Sequence, residues 1–428
     1  EPSTSAEAVA RPDANRWKVA MDEEMQGLWE KGGFSNEVLP PGKKPIKTRF
    51  VYKIKHKADG TVERYKARLV ARGFTQREGV DFFQTFSPVV GFDVMRTVLA
   101  SVALRGWSVQ VLGFTQAYLN ATLQEDIWLE LPNNTVVKAN KVLYGLKQSA
   151  VEWFKELRST ITAENWSSSD YDECLYYCHA EYGRVAVLTT YVDDIVFSGD
   201  YIEEIQRMRT YLLSMYKGRD LGMPDNLLGV IITVADGSIT LDQRLYAESI
   251  VIEGMSSVEV RKTYTPLDPG MDLSARGADE EDLDTSRFPY AMILGKLMFL
   301  AGMTRPDLSN SVRELGRRAA SPCLRHWRGL QHVLRYLAGT LDVCIRYGRG
   351  VEENDAQALV GYSDSDWADD AETRRSVTGY VLLVNQSPIA WRSKLQSSVT
   401  LSSSEAEWTA MVQGMRHCLH IRGILEEM

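Results

Sequence analysis

The chain has 428 residues, 44% of them apolar and 25% charged, which is the balance of an ordinary globular protein and excludes global disorder. At roughly 150 residues per domain, two to four domains are expected. The net charge of −8, taken as an average, argues against nucleic acid as a partner.

Five cysteines, an odd number, make no disulfide framework and point to a reducing, cytoplasmic setting. Cys174, Cys178 and His179 have a hint of zinc spacing, but no second pair follows, so buried thiols are the plainer reading. No apolar run approaches the ~18 residues that cross a bilayer, so no membrane partner is expected. The chain begins with Glu1 rather than Met, which suggests a product excised from a longer polypeptide.

In chain order, residues 1–16 are polar and read as a flexible lead-in. An amphipathic helix follows over about Trp17 to Lys31, with Val19, Met21, Met25 and Leu28 spaced for one face. Phe50, Tyr52 and Ile54 alternate with Val51, Lys53 and Lys55, the period of a strand. Asp59–Gly60 is a turn signal, and residues 62–70 read as the return strand. Between Lys43 and Arg72 stand eleven Lys or Arg against Asp59 and Glu63 alone, so the segment is +9 and the remainder of the chain −17. A solvated edge strand uses Lys to block aggregation, but this excess fits phosphate binding better.

Residues 94–104 read as a helix and 108–113 as a short strand. Two β-rich stretches flank Tyr191-Val192-Asp193-Asp194. A helix is expected over about Tyr201 to Tyr216, and a hairpin over 227–241 turning at Asp236–Gly237. The acidic stretch 279–284 reads as a linker. Residues 288–340 are mainly helical, 357–392 return to strands, and the last 25 residues read as one helix.

Asp193–Asp194 is the most informative pair. A turn can require one Asp for its geometry. Two adjacent carboxylates between apolar strands, where burying charge is costly, fit better as ligands for hard divalent cations. Phosphoryl transfer by two metals needs such clustered carboxylates.

Tyr191-Val192-Asp193-Asp194 resembles the YxDD motif of reverse transcriptases, and the wider pattern resembles the Copia-type retrotransposon polymerase. The matching stretches include RYKARLVARGFTQ (64–76), TFSPVV (85–90), AYLN (117–120), LYGLKQS (143–149), YVDDIVFSG (191–199) and LLGV (227–230). Further on come TRPD (304–307), LRYLAGT (334–340), GYSDSDWADD (361–370), RRSVTGY (374–380) and LSSSEAEW (401–408). Together they cover roughly residues 14–428.

The resemblance implies an α+β right-hand polymerase of fingers, palm, thumb and connection, followed by a ribonuclease H-like α/β domain. Fingers and palm would occupy 17–232, thumb and connection 233–345, and the ribonuclease H-like domain 356–428. It implies RNA-directed DNA synthesis with Mg²⁺ (or Mn²⁺) and deoxynucleoside triphosphates on an RNA template and DNA primer. The RNA/DNA hybrid and other Pol segments are further implied partners, and a virus-like particle or the nucleus are further implied compartments. Asp193 and Asp194 match two of three palm carboxylates. Tyr118 matches the steric gate against a 2′-hydroxyl, and Lys66 the cation that holds the triphosphate, with Arg64 or Arg68 assisting. Tyr144 and Gly145 match the place where the family packs the templating pair and nucleotide, and Leu228 and Gly229 the primer grip. Read without the motifs, Tyr118 and Tyr144 are equally ordinary core aromatics, and Lys66 a solvated strand charge.

Three departures from the family pattern stand out. Gly113 occupies the position of the first palm Asp, the carboxylate that bridges both metals. Ala150–Val151 replaces the usual Pro-Arg after LKQS. Asp364 and Glu407 match the first two ribonuclease H carboxylates, but the segment carrying the third is missing, so no ribonuclease H activity is expected of this polypeptide. Impaired polymerisation is expected because Gly113 replaces the first palm Asp. The alternatives are a non-catalytic nucleic-acid-binding remnant of a decayed or host-adopted element, and a purely structural protein, against which the +9 segment speaks.

Overall fold

The computed structural model describes residues 1–56, 61–255, 263–348, 359–370 and 372–428; the Asp59–Gly60 turn signal lies outside them. The chain divides into two compact units. Glu1–Val90, Val111–Phe197 and Tyr201–Gly222 form the first; Gly91–Gln110, Ser198–Asp200 and Met223–Met428 form the second.

The early elements are α1 (Ser5–Ala10), α2 (Ala14–Glu30), β1 (Phe34–Ser35), β2 (Ile46–His56), β3 (Val62–Ala71) and, in the second unit, α3 (Phe92–Arg105). Then come β4 (Ser108–Phe114), β5 (Thr122–Glu130), β6 (Val136–Lys141), α4 (Ser149–Thr162), β7 (Ser167–Ser168), β8 (Leu175–His179), β9 (Val185–Tyr191), β10 (Asp194–Gly199), α5 (Ile202–Met215) and β11 (Gly218–Gly222). They build a five-stranded sheet, β1-β6-β5-β2-β3, and a six-stranded sheet, β11-β4-β10-β9-β8-β7.

Alternation sets the hairpin of β2 and β3. Phe50 and Tyr52 are buried, as are Ala67, Leu69 and Ala71 opposite them, and the register runs from Thr48↔Ala71 to Lys55↔Arg64. Because strand side chains alternate in direction, the buried set leaves Arg64, Lys66 and Arg68 together on the other face. Helix α2 covers the buried side, where Trp17 meets Tyr52 and Tyr65 edge-on at 5.2 and 4.6 Å.

Two expectations need correction here. Residues 1–16 are not a flexible lead-in: Thr4 caps α1 by accepting from the Glu7 N–H, Ala8 is fully buried, and the Tyr52 hydroxyl donates to Ser5. In α2 the buried positions are Trp17, Ala20, Glu24 and Leu28, while Val19 is 57% exposed. Trp17 is fully buried, while Trp29 on the same helix is 39% exposed.

The second unit continues with β12 (Asn226–Leu227), β13 (Val230–Ala235), β14 (Ser238–Asp242), α6 (Arg244–Gly254), α7 (Tyr290–Met303), α8 (Ser309–Gly316), α9 (Leu324–Gly339) and β15 (Ile345–Gly348). It ends with β16 (Leu359–Asp366), β17 (Val377–Val384), β18 (Ser387–Leu395) and α10 (Ser403–Glu427). Strands β12 to β15 form one sheet and β16 to β18 another. Helices α6 to α9 close around Ile250, Leu294, Leu297, Leu330 and Leu334. The Arg96 guanidinium on α3 donates to the carbonyls of Ile389, Gly302 and Met303 and lies over the Trp391 ring at 4.0 Å. The acidic stretch 279–284 is not a free linker: Arg325 pairs with Glu280 at 2.8 Å, Arg276 with Asp282 at 3.2 Å, and the Leu283 N–H donates to Pro322. Glu280 and Asp282 are matched by these arginines, and Asp284 accepts from the Ser286 N–H and hydroxyl.

Cys174 is buried and Cys178 half-buried, both as free thiols; burial pushes the Cys174 thiol up to about 12. Among the described residues no helix is long and apolar enough to cross a membrane.

Candidate active site

Strands β9 and β10 meet in the tight turn Val192–Asp193. Val192 has φ of +54°, the left-handed region that a β-branched residue rarely enters. Two donors hold it, one from a main chain and one from a side chain. The Phe114 N–H donates to the Asp193 carbonyl at 2.9 Å, and the Trp153 indole N–H on α4 donates to the Val192 carbonyl at 2.7 Å.

Both Asp residues of the turn are half-buried. The Tyr144 hydroxyl donates to Asp193 Oδ2 at 3.3 Å, while Oδ1 is buried without a hydrogen-bond partner among the described residues. Burial pushes the Asp193 carboxyl above its ordinary range, against the opposing pull of Arg68, Tyr144 and Lys66. Asp194 is raised too, first by burial and then by the charge of Asp193. An under-bonded carboxylate oxygen beside a second raised carboxyl is an unsatisfied demand for positive charge.

Positive charge reaches the turn from β3. The Arg68 guanidinium lies 4.9 Å from the centroid of the Tyr144 ring, and Tyr144 meets Tyr118 edge-on at 4.7 Å. Lys66 is half-buried, and its ammonium is weakened first by burial and then by repulsion from Arg68 and Arg64. Burial raises the Tyr118 phenol, and the charge of Asp193 adds to that. Arg64 sits further out, exposed. Gly145, at φ +90°, allows the turn after Tyr144 to approach β3: a Cβ there would lie 2.3 Å from the Ala71 carbonyl oxygen. The Ala71 N–H donates to the Tyr144 carbonyl at 2.8 Å.

Gly113 lies on β4, paired with Arg219 of β11. A Cβ built on it would stand 3.5 Å from Asp194 Oδ1 and 3.1 Å from the Leu221 Cδ1 methyl. A side chain at position 113 therefore points at the carboxylate turn. Among the described residues no group of three His, Cys, Asp or Glu converges as a metal site.

The structure thus brings Lys66, Arg68, Tyr118, Tyr144, Gly145, Asp193, Asp194 and Gly113 into one constellation. Apart from Arg64 on β3, the remaining predicted residues lie in the second unit. Leu228 and Gly229, at φ +56° and +81°, form the turn between β12 and β13, where the Gly229 N–H donates to Asn226 Oδ1 at 3.3 Å. Asp364 on β16 and Glu407 on α10 are neighbours: Glu407 Oε1 accepts from the Ser365 N–H, next in chain to Asp364, at 3.3 Å.

Sequence reasoning missed two contributors. Trp153 reads as one more apolar residue of an amphipathic helix, and nothing in the sequence signals its partner. Glu24, 8% exposed, accepts from the Leu69 N–H and from Gln116. A lone acid on the apolar face of α2 was the available signal.

Residues 34–269 match the family described as reverse transcriptase (RNA-dependent DNA polymerase). The chain belongs to this family. Its relatives identify it further as the Copia-type transposon branch. It is 33% identical, over its whole length, to the retrovirus-related Pol polyprotein from transposon TNT 1-94 of Nicotiana tabacum. It is 31% identical to that from transposon RE1 of Arabidopsis thaliana, again over its whole length. A putative transposon Ty5-1 protein of Saccharomyces cerevisiae is 30% identical over 68% of this chain and 95% of its own length. The chain spans 33% of the tobacco polyprotein and 29% of the Arabidopsis one.

Proposed function

We propose that the Asp193–Asp194 turn is the polymerase site of an RNA-directed DNA polymerase, acting on an RNA template, a DNA primer and deoxynucleoside triphosphates, and that Gly113 impairs it. The observation that carries the reading is the convergence of two raised carboxylates, one with an orphaned oxygen, on Lys66, Arg68 and two tyrosines packed edge-on. Asp193 and Asp194 are the groups that would hold divalent magnesium. Such ions, when bound, supply charge stabilisation at the reacting phosphate in a two-metal nucleotidyl transfer. The donor set fits a hard cation, but with two carboxylates instead of three it is short of negative charge.

The chain's own residues supply positioning and electrostatics, which dominate phosphoryl chemistry. Arg68 and Lys66 offer cations to a triphosphate, and the weakened Lys66 ammonium gains most from an anion beside it. Tyr118, packed on Tyr144, forms a rigid wall where the sugar of a nucleotide would rest. Gly145 lets the turn carrying Tyr144 close against β3.

The Cβ vector of Gly113 also motivates a second reading, a nucleic-acid-binding remnant without catalysis. Primer extension on an RNA template with a DNA primer separates the two. Wild type should extend little or not at all, and Gly113→Asp should extend in Mg²⁺. Absence of extension by Gly113→Asp, with hybrid binding intact and steeply salt-sensitive as phosphate contacts require, supports the remnant.

A further inference from the structure

We propose that Trp153 is a positioning residue for the carboxylate turn, its indole N–H holding Val192 in the left-handed conformation from which Asp193 and Asp194 are aimed. The inference rests on the reading of that turn as a metal-binding site. Trp153 is 2% exposed, and its N–H gives the 2.7 Å hydrogen bond to the Val192 carbonyl. Val192 stands at φ +54°, where a β-branched side chain is strained and persists only if its surroundings over-determine it.

The surroundings do so through one aromatic cluster. Trp153 meets Phe114 edge-on at 5.8 Å and Tyr216 at 5.2 Å, and Phe114 meets Tyr216 at 5.5 Å. The Tyr216 hydroxyl is fixed in turn by Thr160 at 2.6 Å and donates to Glu156 at 3.2 Å. Phe114 uses its backbone N–H on the next carbonyl, that of Asp193. Two consecutive carbonyls of the turn are therefore pinned from the same cluster, one by a side chain and one by a main chain. Pinning both peptide planes fixes the backbone dihedrals on either side of Asp193, and so the directions of both carboxylates. Without the indole N–H, Val192 can relax toward an ordinary backbone region and rotate Asp193 away. Groups that orient ligands in this way commonly change metal affinity roughly 10–100-fold when removed.

The test replaces Trp153 by benzothienylalanine, which keeps the shape of the ring and exchanges the N–H for sulfur. Labelling valine carbonyl carbon together with aspartate nitrogen marks only the Val80–Asp81 and Val192–Asp193 peptides of this sequence. The first is an internal reference. The expected result is a displaced Val192–Asp193 resonance with an unmoved reference, and Mn²⁺ affinity lowered roughly tenfold or more. Adding Val192→Gly, which removes the strain, should recover most of that loss, a rescue that a merely structural tryptophan would not give. An unmoved Val192–Asp193 resonance, unchanged Mn²⁺ affinity, or the same loss with Val192→Gly present overturns the proposal. Wild type that binds no Mn²⁺ removes the metal reading instead, and the resonance alone then decides whether Trp153 sets the turn.

Discussion

Substituting Gly113 by Asp adds a third carboxylate to a site that already resists two. The added Cβ stands 3.5 Å from Asp194 Oδ1, so the new carboxylate sits about 4–5 Å from its neighbour. At an effective dielectric of about 20, two unit charges at 4 Å repel by about 4 kcal/mol. Protonation and solvent relieve part of that. Without divalent ions near neutral pH, the variant should lose about 2–3 kcal/mol relative to Gly113→Asn, which shares the crowding against Leu221 without the charge. That corresponds to a melting point lower by roughly 4–12 °C for a unit of this size. Mg²⁺ at about 100 times its dissociation constant returns about 2.7 kcal/mol, so the gap should close in magnesium.

The sign with pH follows from the raised carboxyls Asp193 and Asp194. A carboxyl whose folded pKa lies above its unfolded value destabilises above the folded pKa, and that cost disappears as pH falls through it. The gap should therefore also close in acid, near the ordinary carboxylate pKa of about 4. Thermal unfolding of both variants at mild alkaline and acid pH, with and without Mg²⁺, checks this. A gap that persists in acid and ignores Mg²⁺ refutes the placement of residue 113 beside the carboxylate turn.

Two further outcomes follow from the same physics. Gly145→Ala would force a Cβ to 2.3 Å from the Ala71 carbonyl at φ +90°, so denaturant unfolding should show a loss of about 3 kcal/mol or more, with nucleotide binding lost as β3 is pushed from Tyr144. In the second unit, Asp93 accepts from His417 at 2.7 Å. Burial alone would raise the Asp93 carboxyl, but the His417 hydrogen bond and charge outweigh it and hold it at about 2. A depressed carboxyl stabilises above its unfolded pKa and loses that contribution as pH falls. Asp93→Asn should thus cost about 2 kcal/mol near neutral pH and progressively less between about pH 4 and pH 2; a cost independent of pH would count against the pairing.

The sequence by itself determined the motif-bearing elements. Alternation around Phe50 and Tyr52 gave the basic hairpin and put Arg64, Lys66 and Arg68 on one face, because the strand period is two and leaves no other arrangement. The Asp193–Asp194 pair between apolar strands was equally plain, since adjacent carboxylates in such a setting need a partner. Local pattern misjudged α1, whose order comes from Thr4 and from burial of Ala8, and the acidic stretch 279–284, where Glu280 and Asp282 are matched by Arg325 and Arg276 from other parts of the chain.

Tertiary structure decided what faces what. The sequence marked Gly113 as a missing acid only through resemblance; the structure shows its Cβ vector directed at Asp194. Trp153 lies 39 positions from Val192, and no periodicity encodes which carbonyl an indole N–H will find. Propensity and pattern act over a few residues. The strain at Val192 and the aim of the two carboxylates depend on packing between strands and a helix that meet only in the folded chain.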